Sequence, residues 1–289
     1  MNKILEETRF ILNKYNIRAN KSLGQNFLIS EKVVNAIVDC SEISEEDLII
    51  EIGPGLGTLT KYLLERAGKV ICIELDTKMV KILEERFKLY DNFCILNQDV
   101  LKVDLKTLIK QEKDMKRIKN VKIVANLPYY ITTPIIMKLL EEKLDLKSIT
   151  VMIQKEVADR LIAIPGEKES GAITYSVYYY AESQGIMEVP KKSFIPEPEV
   201  TSKVIKLNMR NRCPVDVNDE KMMFKIIKSA FMQRRKTLLN GLTNTKVFNN
   251  KEEGKKILEK MGIDINIRAE KLTIEDYANI ANELLLLNQ

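Results

Sequence analysis

Apolar residues recur along this chain with two spacings, and the change from one to the other outlines its organisation. Ile4, Leu5, Ile11 and Leu12 fall on one face of an opening helix. A polar stretch over 18–30 follows, and Ser30 is placed to cap a second helix over 31–40. From Asp47 onward, short apolar runs alternate with amphipathic segments. The runs lie at 48–52, 70–75, 93–96, 121–125 and 149–153. Between the first three, residues 61–68 and 77–89 carry apolar side chains at i, i+3 and i+4 and read as helices. Residues 110–120 read as a polar, Lys-rich connection, and a further helix is expected to open on Pro134. Short apolar strands alternating with helices predict a parallel sheet covered on both faces. The run over 200–207 instead alternates apolar and polar positions, which suits an antiparallel edge strand. Beyond residue 210 the strand signal stops, and 221–240, 252–261 and 273–287 read as helices, the last opened by a Thr273–Asp276 capping pattern. Two domains are expected, 1–208 and 209–289.

Composition narrows the chemistry. With 46 Lys+Arg, 41 Asp+Glu and no His, the chain can build neither a His-based nucleophile system nor a His-ligated metal. The four cysteines are scattered and are expected to be thiols rather than disulfides or metal ligands. No apolar run approaches the roughly 20 residues that cross a bilayer. Acids among the first ten residues argue against an export signal, so a cytoplasmic location and no membrane partner are expected. The charge is uneven. From Lys221 to Lys251 there are eight cations and no acid, so the rest of a chain of net charge +5 sums to −3. The core of that stretch, Arg234-Arg235-Lys236, suits a phosphate backbone, and Lys21, Lys191 and Lys192 extend it.

Four strand ends carry candidate chemistry. Glu51-Ile52-Gly53-Pro54-Gly55-Leu56-Gly57 lies between the first strand and its helix, where glycines let the backbone approach a ligand. Glu74 ends the second strand about 20 residues on, where a carboxylate can accept both hydroxyls of a ribose. A nicotinamide cofactor is disfavoured. The spacing is G-x-G-x-G rather than G-x-G-x-x-G, and Glu51 would repel a pyrophosphate. A ligand with an ammonium group, such as the methionine moiety of S-adenosylmethionine, suits Glu51 better. Asp99, after the third strand, is placed to accept from an adenine amino group. The fourth strand runs into Asn126-Leu127-Pro128-Tyr129. The Asn side-chain carbonyl and a backbone carbonyl of this turn could accept both N–H bonds of an exocyclic amine and push its nitrogen toward tetrahedral geometry. Pro128 stiffens the turn, and Tyr129 offers a face to a base.

Together with Gln25-Asn26-Phe27-Leu28, Gln154-Lys155-Glu156-Val157, the segment 193–200, Gln233-Arg234-Arg235-Lys236-Thr237 and Arg268-Ala269-Glu270, these motifs resemble the ribosomal RNA adenine dimethyltransferase family. The resemblance runs from near residue 20 to near residue 275. It implies a Rossmann-like class I methyltransferase fold, α/β with a mostly parallel seven-stranded sheet and an antiparallel edge strand, plus a small helical C-terminal domain. It implies S-adenosylmethionine as donor, no metal, and dimethylation of two adjacent adenosines in the 3′-terminal hairpin loop of 16S rRNA within the small (30S) ribosomal subunit, with no obligate protein partner. By the same resemblance Asn26, Leu28, Gly53, Glu74, Asp99 and Asn126 contact the cofactor, with Glu51 and Gly55 beside them. Phe194 is implied to stack on the target base opposite Tyr129. Ser170 stands where relatives often carry Tyr, so the loop before Gly171 has no assigned role. The competing readings are a large-subunit (23S rRNA) adenine methyltransferase of the antibiotic-resistance type, a nicotinamide oxidoreductase, and a non-catalytic ribosome-assembly or transcription factor on the same fold.

Overall fold

A computed structural model describes residues 3–20, 23–115, 118–233 and 235–287. Its centre is a seven-stranded sheet: β1 (Asp47–Ile52), β2 (Lys69–Glu74), β3 (Phe93–Asn97), β4 (Asn120–Asn126), β5 (Ser148–Gln154), β6 (Ala181–Val189) and β7 (Ser202–Met209). In space the order is β3-β2-β1-β4-β5-β7-β6. The first five strands pair in parallel and β7 runs antiparallel to β5. All six residues of β1 are buried, as expected for a strand covered on both faces. One cover is made by Val34, Ile37 and Val38 of the helix Glu31–Cys40 with Leu59 and Leu63 of the helix Thr58–Leu64, packed over Ile49, Cys72 and Val124.

The strands match the apolar runs to within a residue or two. The antiparallel side of the sheet holds one strand more than the pattern predicts. The alternating segment forms β7, and the outermost position belongs to β6, whose half-exposed residues give little hydropathy contrast. The supposed connection at 110–120 begins inside a helix, Leu105–Met115, because Leu105 and Ile109 bury one face while Lys106 and Lys110 face water. The helix expected to open on Pro134 starts two residues earlier, at Thr132. Ser30 holds the N-cap position, but its side chain makes no capping bond.

The chain divides into two compact units, residues 1–158 with 183–209, and residues 159–182 with 210–289. The last crossing falls between Met209 and Arg210, one residue beyond the boundary expected from the sequence. The sequence shows no sign of the earlier excursion, which carries the helix Ala172–Tyr180 into the second unit's core. There Tyr175 and Tyr277 meet edge-on at 5.0 Å, and each hydroxyl donates to a backbone carbonyl, of Leu272 at 2.6 Å and of Ala269 at 2.9 Å. The single helix expected over 221–240 is two, Glu220–Met232 and Leu238–Asn244. Gln233 leaves helical geometry, and Thr237 caps the second helix by accepting from the Asn240 amide. Thr273 and Asp276 form the expected reciprocal cap.

Candidate active site

Strand order reverses between β1 and β4, and in open α/β sheets ligands sit at the carboxyl ends of strands at such a point. The Gly-rich turn leaves β1 there. Gly53, Gly55 and Gly57 all have positive φ, at 67°, 57° and 80°. The requirement is tightest at Gly57, where an added Cβ would lie 2.6 Å from both Leu83 and Phe87. The turn is tied to β2 by the Gly53 amide, which donates to the Ile73 carbonyl at 2.9 Å.

Glu74 ends β2 with both carboxylate oxygens engaged. Oε2 accepts from the Gly55 amide at 3.1 Å and Oε1 from the Asp76 amide at 2.9 Å. Each oxygen keeps a further lone pair, so a carboxylate already oriented by the backbone can still accept a vicinal diol. Burial raises the Glu74 pKa, and the two amides oppose the rise. Glu51 is more deeply enclosed, only 2% exposed. Its Oε2 accepts from the Thr60 hydroxyl at 2.6 Å, with the Cys72 thiol at 3.4 Å. Burial, reinforced by the charge of Glu74, pushes its pKa up to about 7, against which the Thr60 and Cys72 bonds act. Asp99 caps a short 3-10 turn by accepting from the Leu101 amide at 3.0 Å through Oδ1. Two buried carboxyls with apolar residues between them suit a ligand that brings a positive charge and a ribose.

At the end of β4 the Asn126 amide nitrogen donates to the Asn26 backbone carbonyl at 3.4 Å, which leaves Oδ1 as acceptor. The Pro128 carbonyl accepts from the Thr132 hydroxyl at 3.1 Å and the Ile131 amide at 3.3 Å. Among the described residues the Leu127 carbonyl has no hydrogen bond. The Tyr129 hydroxyl lies 2.6 Å from Ser202 Oγ, at the buried start of β7, so the ring is anchored across the sheet. Asn26 and Leu28 are held over the strand ends by a two-residue antiparallel ladder that pairs Leu28 with Phe194 and Phe27 with Ile195.

Every residue assigned to cofactor or catalysis lines one cavity except Phe194. Phe194 is 2% exposed and packs in the core with Val34 and Val189. It stands beside the site, paired in register with Leu28, but does not line the cavity. Sequence reasoning passed over Leu75 and Tyr130, both on the cavity wall and 51% and 57% exposed. The signal available was position alone, one residue after Glu74 and one after Tyr129.

In the second unit Lys221, Lys225 and Lys228 lie along the exposed face of the helix Glu220–Met232, and Arg235 and Lys236 are exposed just beyond it. Arg234 and Lys21 lie outside the described residues. None of the described cations from 221 to 251 takes part in an ion pair. Lys191 and Lys192, in the first unit, are also exposed. Among the described residues no group of three or more Cys, Asp or Glu could hold a metal ion, and no helix is long and apolar enough to cross a membrane.

Comparison with known proteins identifies the family. The family described as Ribosomal RNA adenine dimethylase matches residues 16–285. Proteins named Ribosomal RNA small subunit methyltransferase A are similar along nearly the full length. That of Alkaliphilus oremlandii is 48% identical over 96% of this chain and 96% of its own. That of Clostridium botulinum is 47% identical over 95% and 97%. Among solved structures, a dimethyladenosine transferase from Plasmodium falciparum superposes with a TM-score of 0.74 at 24% identity, covering 91% of this chain and 98% of its own. The 23S rRNA methyltransferase ErmE follows at 0.66 and 21%, covering 91% and 100%. These two share the fold.

Proposed function

Because the chain belongs to the ribosomal RNA adenine dimethylase family, we propose that it uses S-adenosylmethionine to dimethylate the N6 amines of two adjacent adenosines in the 3′-terminal hairpin loop of 16S rRNA, on the small ribosomal subunit in the cytoplasm. That it is a methyltransferase acting on adenine in ribosomal RNA follows from the family itself. The choice of the small subunit rests on relatives at 45–48% identity that carry that name, whereas the 23S enzyme shares only the fold at 21%.

The observation that carries the mechanism is the pair of acceptors at the end of β4. The amine of adenine is conjugated with its ring and is a weak nucleophile. Asn126 Oδ1 and the Leu127 carbonyl accept its two N–H bonds, and both bonds strengthen as the nitrogen becomes tetrahedral, which is the differential binding that lowers a barrier. The tie from Asn126 to the Asn26 carbonyl sets the amide the right way round for this. Tyr129, fixed through Ser202, holds the base. Bound S-adenosylmethionine supplies an electrophilic methyl group. Glu74 accepts the ribose hydroxyls, Asp99 the adenine amine of the donor, and Glu51 faces its ammonium. The methylated amine is a strong acid and loses its proton to water, so a chain without His needs no general base. Arg235 and Lys236, with Arg234 beside them, contact RNA phosphates.

Single-turnover transfer of labelled methyl groups onto small subunits lacking the modification tests this reading. Asn126→Ala should be slowed by about 10²–10³-fold, the loss typical of one preorganised polar group at a reacting centre. Asn126→Asp, which keeps an acceptor oxygen, should retain more activity. Transfer by the Ala variant at the parent rate would remove Asn126 from the chemistry.

A further inference from the structure

Tyr129 and Tyr130 are consecutive, yet the structure treats them in opposite ways. Tyr129 is half-buried with its hydroxyl bonded to Ser202. Tyr130 stands on the wall of the same cavity with 57% of its surface open to solvent. Among the described residues its hydroxyl has no hydrogen-bond partner. The ring is nevertheless held. A Cβ added at Gly24 would lie 3.3 Å from its Cδ1 and 3.6 Å from its Cε1, so one ring edge rests against the glycine. Gly24 has φ +62, a conformation glycine adopts without penalty. The backbone at 24 thus comes close enough to support the ring while its remaining surface faces water. Water gives a large flat aromatic in that setting no reason to stay ordered, whereas a second flat surface does.

We propose that Tyr130 forms a second base-binding subsite, a stacking platform for the nucleotide next to the target adenosine. This rests on the adenine reading given above. A base drawn into the cavity beside Tyr129 leaves its neighbour in the strand at the mouth, since the backbone joining them is short, and enzymes acting on an extruded base commonly hold the flanking nucleotides too. Tyr130, one residue along, stands at that mouth. Stacking on an aromatic ring tolerates any base, so the platform serves whichever of two adjacent adenosines is outside while the other reacts. One site can then methylate both without rebuilding its contacts to the flank.

The test is equilibrium binding of a hairpin RNA with two adjacent adenosines in its loop, followed by fluorescence anisotropy with saturating S-adenosylhomocysteine so that no transfer occurs. The same RNA is prepared with the base removed from the nucleotide on either side of the target. Parent protein should lose about 5- to 150-fold in affinity when one flanking base is removed. Tyr130→Phe should behave as the parent. Tyr130→Ala should bind intact RNA as weakly as the parent binds the abasic RNA, and lose nothing more when the base is removed. Tyr130→Leu, which keeps apolar bulk without a flat face, should match Ala and guards against a folding defect in either variant. Losses from ring and base that multiply instead of overlapping would overturn the proposal. So would a Tyr130→Ala protein that binds free RNA normally but falters only on whole subunits, an outcome assigning the ring to a protein contact. Failure of the underlying reading shows separately, as a parent protein that leaves the loop adenosines unmethylated when given donor.

Discussion

Glu51→Gln should make this protein more stable and a poorer binder of its donor. The carboxyl is 2% exposed, with the hydroxyl of Thr60, the thiol of Cys72 and the negative charge of Glu74 as its polar surroundings. Its pKa is pushed from 4.5 up to about 7. A group that holds its proton more tightly in the folded state favours folding at low pH. That contribution is complete below the unfolded value and is lost as pH rises through the folded one. At about 1.4 kcal/mol per tenfold change in proton affinity, the gap amounts to about 3 kcal/mol. The amide of the Gln variant does not titrate and can still accept from Thr60. Unfolding free energies from urea titrations, measured without donor, should therefore agree near pH 4 apart from a constant offset. The variant should gain on the parent by about 3 kcal/mol by pH 8, with most of the change between pH 4.5 and 7. Taking the difference cancels the remaining ionisable groups, which both proteins share. Calorimetry should show weaker S-adenosylmethionine binding by the variant, because an ammonium group no longer meets a carboxylate. A stability difference that stays flat between pH 4 and 8 would mean that Glu51 titrates as an ordinary carboxyl, and the argument from burial would fail.

Two further outcomes follow from other parts of the molecule. Arg235→Ala combined with Lys236→Ala should weaken subunit binding and lower the slope of log affinity against log salt by about 0.7 for each phosphate no longer neutralised on single-stranded RNA, with donor binding intact. An unchanged slope in filter-binding titrations would make these cations structural. Gly57→Ala should cost about 2–5 kcal/mol in urea unfolding, from a left-handed conformation forced on a residue with a side chain and a methyl group driven against Leu83 and Phe87. A loss under 1 kcal/mol would show that the turn relaxes.

The alternation of strand and helix through β5 was legible in the chain, because each strand is buried on both faces and must be apolar along its length. So was the placing of the Gly-rich turn, Glu74, Asp99 and Asn126 at strand ends around one cavity, since the first residues after each strand lie in fixed sequence positions. The resemblance to the family rested on the same residues. What the chain alone could not show depends on distant segments meeting. β6 is half-exposed and carries no periodic signal, so only its pairing identifies it as a strand. The helix Ala172–Tyr180 belongs to the second unit because Tyr175 finds Leu272 and Tyr277, about a hundred residues on. Ser202 matters to Tyr129 only because β7 returns beside β5, and the burial of Phe194 among Val34 and Val189 joins segments far apart in the chain. Local sequence determined which residues end the strands and with what chemistry. Tertiary structure decided which partners orient them, because a hydrogen bond between residues far apart in sequence leaves no trace in the composition or spacing of either segment.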